Sequence, residues 1–176
     1  GICVLHDKGD YKSYFEDTMR AGHYENDPAA VRCMIENSRA TIDYLSSVGV
    51  RFARGADGEL LYTREGAHSR PRICFHEDCT GKEITSHLLS RALAPQNIEI
   101  RSYTTMLDLI CGDGDCFGAV VRDNRSGALC RVFAKNTVLA TGGIGGLYAH
   151  STNYRILTGD GLAVSLRHGV AVDHAD

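Results

Sequence analysis

The sequence reads as an α/β chain of mixed helix and strand, and three observations predict it. Apolar residues recur at helical spacing in the first half, short strand-forming segments follow between residues 98 and 134, and a glycine-rich turn succeeds an apolar run near residue 140. With 176 residues, 43% of them hydrophobic and 23% charged, the chain has the composition of a globular domain with its own core.

Residues 10–21 form the first predicted helix, with Asp10 as N-cap, Tyr11, Tyr14, Phe15 and Met19 on one face, and Gly22 at its end. Asp27 and Pro28 start a second, with Val31, Met34, Ile35, Ile42 and Leu45 on one stripe and Gly49 as its stop. Residues 51–80 show no helical period; Asp57-Gly58 marks a turn, and the remainder is a long charged stretch without regular structure. Thr80 and Glu83 have the spacing of a capping box, and Ile84, Leu88 and Ala92 make the buried face of the third helix. Ile98 and Ile100 alternate, and segments 104–111, 116–122 and 129–134, with a turn at 123–127, predict a β-meander. Residues 137–140, TVLA, predict a buried strand running into the turn, and 160–168 a short helix with Leu162, Ala163 and Leu166 inward and Gly169 closing it.

Composition excludes several classes. A net charge of -3 is the wrong sign for general nucleic-acid binding. No apolar run is long enough to cross a bilayer, and no signal peptide is visible, so no membrane association and a cytoplasmic location are expected. The seven cysteines are irregularly spaced with no C-x-x-C, which predicts reduced thiols. His68, His76 and Asp78 match no standard ligand spacing, so no metal is expected.

Two segments carry chemistry. Residues 63–72, TREGAHSRPR, set Glu65 among Arg64, Arg70, Arg72 and His68. Guanidinium groups grip carboxylates, and a lone carboxylate among them suits the ammonium of a substrate that also carries carboxylates. The run from Ala140 to Gly146 lets backbone come close to a ligand, but it is neither the dinucleotide fingerprint nor a P-loop. Asp160 in TGDG either caps the following helix or accepts hydrogen bonds from a cofactor's hydroxyls.

LYTREGAHSRPRICFHEDCTGKEI at 61–84, VLATGGIGGLY at 138–148 and STNYRILTGDGLAVSLRHG at 151–169, in that order, resemble the L-aspartate oxidases, within the wider succinate dehydrogenase and fumarate reductase flavoproteins. The resemblance runs over essentially the whole chain. It implies the central part of a Rossmann-like FAD-binding domain and oxidation of L-aspartate to iminoaspartate, with oxygen or fumarate as acceptor. It also implies a product that feeds quinolinate synthase in NAD biosynthesis. By position, Gly1 and Ile2 match the tail of a glycine-containing segment around the flavin. Thr105 and Met106 match backbone contacts to the adenine end of FAD, Thr141, Gly142 and Gly143 a turn beside the cofactor, and Asp160 a further FAD contact. Glu65 matches the carboxylate that orients aspartate. Succinate-oxidising relatives have an apolar or uncharged residue there, since a carboxylate repels a dianion.

The resemblance further implies that residues 1–176 are an incomplete FAD-binding domain. Its dinucleotide fingerprint would lie before residue 1; a capping domain with the catalytic arginine, and a C-terminal helical domain, would lie after residue 176. The start at Gly1 and a strand beginning just before Asp176 fit that expectation. No catalytic residue is therefore assigned within the chain, and the isolated chain is expected to be inactive. The alternatives are a fumarate reductase or succinate dehydrogenase flavoprotein and a non-catalytic interaction domain.

Overall fold

The computed structural model describes residues 1–172 and separates them into two units, Gly1–Glu99 and the residues from Ile100 onward.

In the first unit, strand β1 (Ile2–Cys3) pairs antiparallel with β2 (Ile73–Cys74), and helices α1 (Tyr11–Ala21), α2 (Pro28–Ser47) and α3 (Thr80–Leu93) complete it. Helix α2 starts as its sequence dictates: the Asp27 carboxylate accepts from the Ala29 amide at 2.7 Å, with Pro28 in the first turn. Val31, Ile35, Ile42 and Leu45 are buried, while Met34, expected on the same stripe, is 47% exposed. One core cluster joins Val4, Ile42, Leu45, Val50, Phe52 and Cys74, and a second joins Tyr14, Met19, Val31 and Ile35.

Two helix starts differ from expectation for one reason: their carboxylates have better partners than the backbone. Asp10 makes no side-chain cap bond to α1, because Arg72 engages it. The capping box at α3 does not form; Thr80 Oγ1 accepts from the His76 amide, and Glu83 Oε1 accepts from both the amide and the Nε of Arg51. Of the face expected to be buried on α3, Ile84 packs against the core and Leu88 is exposed. The stretch 51–80 is not structureless. Arg54 bridges Leu60 across the turn at Gly58, and Thr63 bridges Ile73, so the charged loop is pinned at both ends.

In the second unit, β3 (Thr104–Gly112), β4 (Asp115–Asp123) and β5 (Leu129–Phe133) form the expected antiparallel meander. Gly118, at φ +142°, is required: a Cβ there would stand 1.9 Å from the Val132 carbonyl oxygen on β5. Ile98 and Ile100 lie outside any strand. Residues 137–140 form no strand, and Val138 is 86% exposed. A buried strand needs hydrogen-bonding neighbours on its edges, and none of the described strands pairs with this run. Helix α4 (Asp160–Arg167) follows the glycine-rich turn; Gly161 and Val164 are its buried residues, whereas Leu166 is 58% exposed. The strand expected at the C-terminal end runs into residues 173–176, outside the described ones, and Ala171 and Val172 are not in a strand.

Candidate functional site

The charged loop is built from its interior outward. Arg72 is fully buried. Its Nε and Nη2 donate to the two carboxylate oxygens of Asp10 at 2.6 and 2.8 Å, and its Nη1 donates to Asp17 Oδ2 at 2.7 Å. The same Asp17 oxygen accepts from the Ser69 amide and hydroxyl, at 2.7 and 2.6 Å. Burial works against the charged form of Asp17, but these donors outweigh it and hold the carboxyl at about 2. At Asp10, burial is likewise outweighed by Arg72 and Ser13, and the carboxyl lies below its ordinary range. Arg72 is therefore not a grip for substrate carboxylates, as its place among the loop guanidiniums had implied; it anchors the loop to α1. The legible signal was a pair of aspartates, Asp10 and Asp17, on the helix face that also carries Tyr14.

Ahead of this anchor the chain turns tightly. The His68 amide donates to the Glu65 carbonyl at 3.3 Å, with Ala67 at φ +66°. Glu65 is half exposed and lines a recess of about 400 Å³ with Gly1, Thr63, Glu77, Asp78 and Gly81. The Gly1 nitrogen lies 3.4 Å from Glu65 Oε1. The structure thus places Gly1 and Glu65 at one recess, while Ile2 packs its side chain against the first core cluster. The acidic residues along this recess suit a cationic group.

A separate cavity of about 240 Å³ lies within the second unit, lined by Thr104, Thr105, Met106, Thr141, Gly159 and Asp160 among others. Helix α4 is fixed to β3 here: Arg167 Nη2 donates to the Leu107 carbonyl at 3.0 Å, and His168 Nε2 lies 2.8 Å from Asp108 Oδ1. Gly159, not Asp160, occupies the N-cap position of α4, and the Asp160 carboxylate has no partner among the described residues. Gly161 allows this closure, since a Cβ there would stand 2.0 Å from Thr141 Oγ1. Gly142 takes φ +73° in the turn, and Gly143 faces open space. Four of the residues matched to FAD contacts, Thr105, Met106, Thr141 and Asp160, therefore share one cavity; Gly142 and Gly143 sit in the turn next to it. An unpartnered carboxylate with backbone held close around it fits one hydroxyl-bearing end of a dinucleotide.

Among the described residues, His76, Glu77 and Cys79 bring ligand-type atoms within 4.8 Å of one another. Only His76 belongs to the set weighed from spacing, and its Nδ1 already hydrogen-bonds the Arg51 carbonyl. The cysteines of the described chain are free thiols. No helix is long and apolar enough to cross a membrane.

Known proteins resemble the chain over nearly its whole length. The model of the FAD binding domain family matches residues 1–176. The L-aspartate oxidase of Clostridium perfringens is 40% identical over 172 residues, covering 98% of this chain and 38% of that protein. That of Clostridium acetobutylicum is 42% identical, covering 98% of this chain and 39% of that protein. Among solved structures, an E. coli quinol fumarate reductase superposes with a TM-score of 0.89 at 28% identity, over 96% of this chain and 29% of its own. Mycobacterium smegmatis Sdh1 does so at 0.84 and 30% identity, over 95% of this chain and 30% of its own. The chain spans less than two fifths of the length of the curated relatives described. A mixed helix-and-strand fold of flavoprotein type and a family match over the whole length converge: this chain belongs to the FAD binding domain family.

Proposed function

We propose that the full-length protein is an FAD-dependent L-aspartate oxidase, and that the position of Glu65 is the observation that carries this reading. A carboxylate on a half-exposed turn, in a recess that also holds Glu77 and Asp78, favours a substrate with an ammonium group. Succinate is a dianion without one, and three carboxylates along the recess disfavour it as the substrate to be oxidised. The relatives' names support the same substrate.

In this reading FAD, when bound, supplies a two-electron acceptor for the hydride of the substrate α-carbon, and L-aspartate becomes iminoaspartate. Thr105, Met106, Thr141, Gly142, Gly143 and Asp160 hold the cofactor, with Asp160 accepting from sugar or polyol hydroxyls. Gly1 and Ile2 lie along the flavin. Glu65 accepts from the substrate ammonium and so sets which face of the α-carbon is presented; the Arg72 anchor keeps the turn in place. The central Rossmann-like placement of the chain, reoxidation by oxygen or fumarate, supply of iminoaspartate to quinolinate synthase for NAD biosynthesis, and a cytoplasmic location belong to the same proposal. The isolated chain of residues 1–176 is expected to bind FAD weakly or not at all and to be inactive. A purified 176-residue chain that is yellow and oxidises aspartate contradicts that part.

Glu65→Gln in the full-length enzyme tests the central assignment. Loss of one charge-assisted hydrogen bond raises the Michaelis constant for L-aspartate by roughly tenfold or more. Unchanged Michaelis constant and turnover overturn the role given to Glu65.

A further inference from the structure

His68 is half-buried, and its two ring nitrogens have different surroundings. Nδ1 lies 3.2 Å from Arg72 Nη1 and 3.9 Å from Cys3 Sγ. A guanidinium has no acceptor. Arg72 Nη1 therefore donates to Nδ1, which must be the lone-pair nitrogen, and the ring proton sits on Nε2. Arg72 cannot turn away, because Asp10 and Asp17 hold its remaining donors. Tyr14 packs edge-on against the imidazole, with ring centroids 6.2 Å apart at 70°. The ring is fixed in tautomer and orientation, yet Nε2 has no partner among the described residues.

We infer that His68 Nε2–H is a substrate-binding donor that hydrogen-bonds a carboxylate oxygen of the substrate, with Arg72 as the residue that positions it. The inference deepens the reading of Glu65 as the ammonium partner and rests on it for the substrate class. The chemistry of the turn is complementary. Glu65 offers only acceptors and His68 Nε2 only a donor; a four-carbon amino dicarboxylate offers an ammonium that only donates and carboxylates that only accept. The two side chains leave the first and last residues of one β-turn, whose Cα atoms lie within about 7 Å, so a single small molecule can meet both. Arg72 acts at one remove. It touches no substrate but fixes which imidazole nitrogen carries the proton, as second-shell partners do elsewhere.

The experiment uses the full-length flavoprotein with FAD bound and reads binding from the visible flavin band, with succinate as a probe that has both carboxylates and no ammonium. His68→Asn keeps an acceptor near the Nδ1 position for Arg72 and removes the outer donor. It is expected to weaken succinate and L-aspartate alike, by roughly tenfold to a hundredfold, at unchanged flavin spectrum and melting temperature. His68→Gln places an amide N–H near the Nε2 position and is expected to recover binding to within about threefold of wild type. Glu65→Gln is expected to weaken L-aspartate and leave succinate as tight or tighter, which separates the two assignments. Should Glu65→Gln change neither ligand while His68→Asn weakens both, the ammonium assignment fails and the donor assignment stands. Wild-type succinate affinity in His68→Asn overturns the role of His68. So does His68→Gln binding no better than His68→Asn, which would assign the loss to packing of the ring.

Discussion

At the scale of single residues, the charged loop is organised by a buried ion triad. Arg72 is surrounded by Asp10 and Asp17, and removing it takes away the one buried cation, leaving these buried carboxylates only the exposed Arg70 and Arg20 as counter-charges. Arg72→Leu is therefore expected to cost about 3–5 kcal/mol in a denaturant titration of the full-length protein. The wild type carries an acid signature of the same triad. Asp17 is held at about 2 in the folded state, against about 3.9 in an unfolded chain. Its contribution is complete above about pH 4 and is lost as pH falls toward 2. Arg72→Leu removes that contribution, so its stability curve loses the corresponding slope between those pH values, as circular dichroism melts can show. Much of this was half visible in sequence. The residue types in TREGAHSRPR named the chemistry, and Glu65 could be singled out because it is the lone carboxylate there. Which guanidinium turns inward depends on contacts more than 50 residues away, and local spacing holds no record of those.

At the scale of elements, periodicity read well wherever a helix or strand finds its partners inside the chain. Helix α2 begins at its Asp-Pro signal and buries its stripe, and the meander appears at the segments rich in strand formers. Two kinds of expectation failed, for different physical reasons. Capping assignments failed at Asp10 and Glu83 because each carboxylate binds a distant cation more strongly than its own helix's backbone, and at Thr80 because its hydroxyl accepts from the His76 amide instead. The run at 137–140 failed because an apolar segment becomes a strand only beside another strand. Gly118 shows the opposite case, a residue that no pattern marks but that the sheet requires. Gly118→Ala sets a Cβ against the Val132 carbonyl, so β4 and β5 must separate locally. The expected loss is about 1–3 kcal/mol, with faster amide exchange along β5 than in the wild type. Exchange that stays unchanged along β5 contradicts this account of the sheet.

At the scale of the whole molecule, the chain holds two candidate subsites in two units: an acidic recess around Glu65 and a cavity that gathers Thr105, Met106, Thr141 and Asp160. The family match covers both. Sequence resemblance pointed to each of these residues, but their gathering depends on how α4 is tied to β3 through Arg167 and His168, which no motif announces. A flavoprotein containing this chain is expected to select an amino dicarboxylate over its ammonium-free analogue. Peroxide release by the full-length enzyme in air, with L-aspartate and succinate supplied separately, tests this most directly. Steady peroxide formation is expected with L-aspartate and none above background with succinate. Oxidation of succinate at a rate equal to or above that of L-aspartate, followed with an artificial electron acceptor, would contradict it.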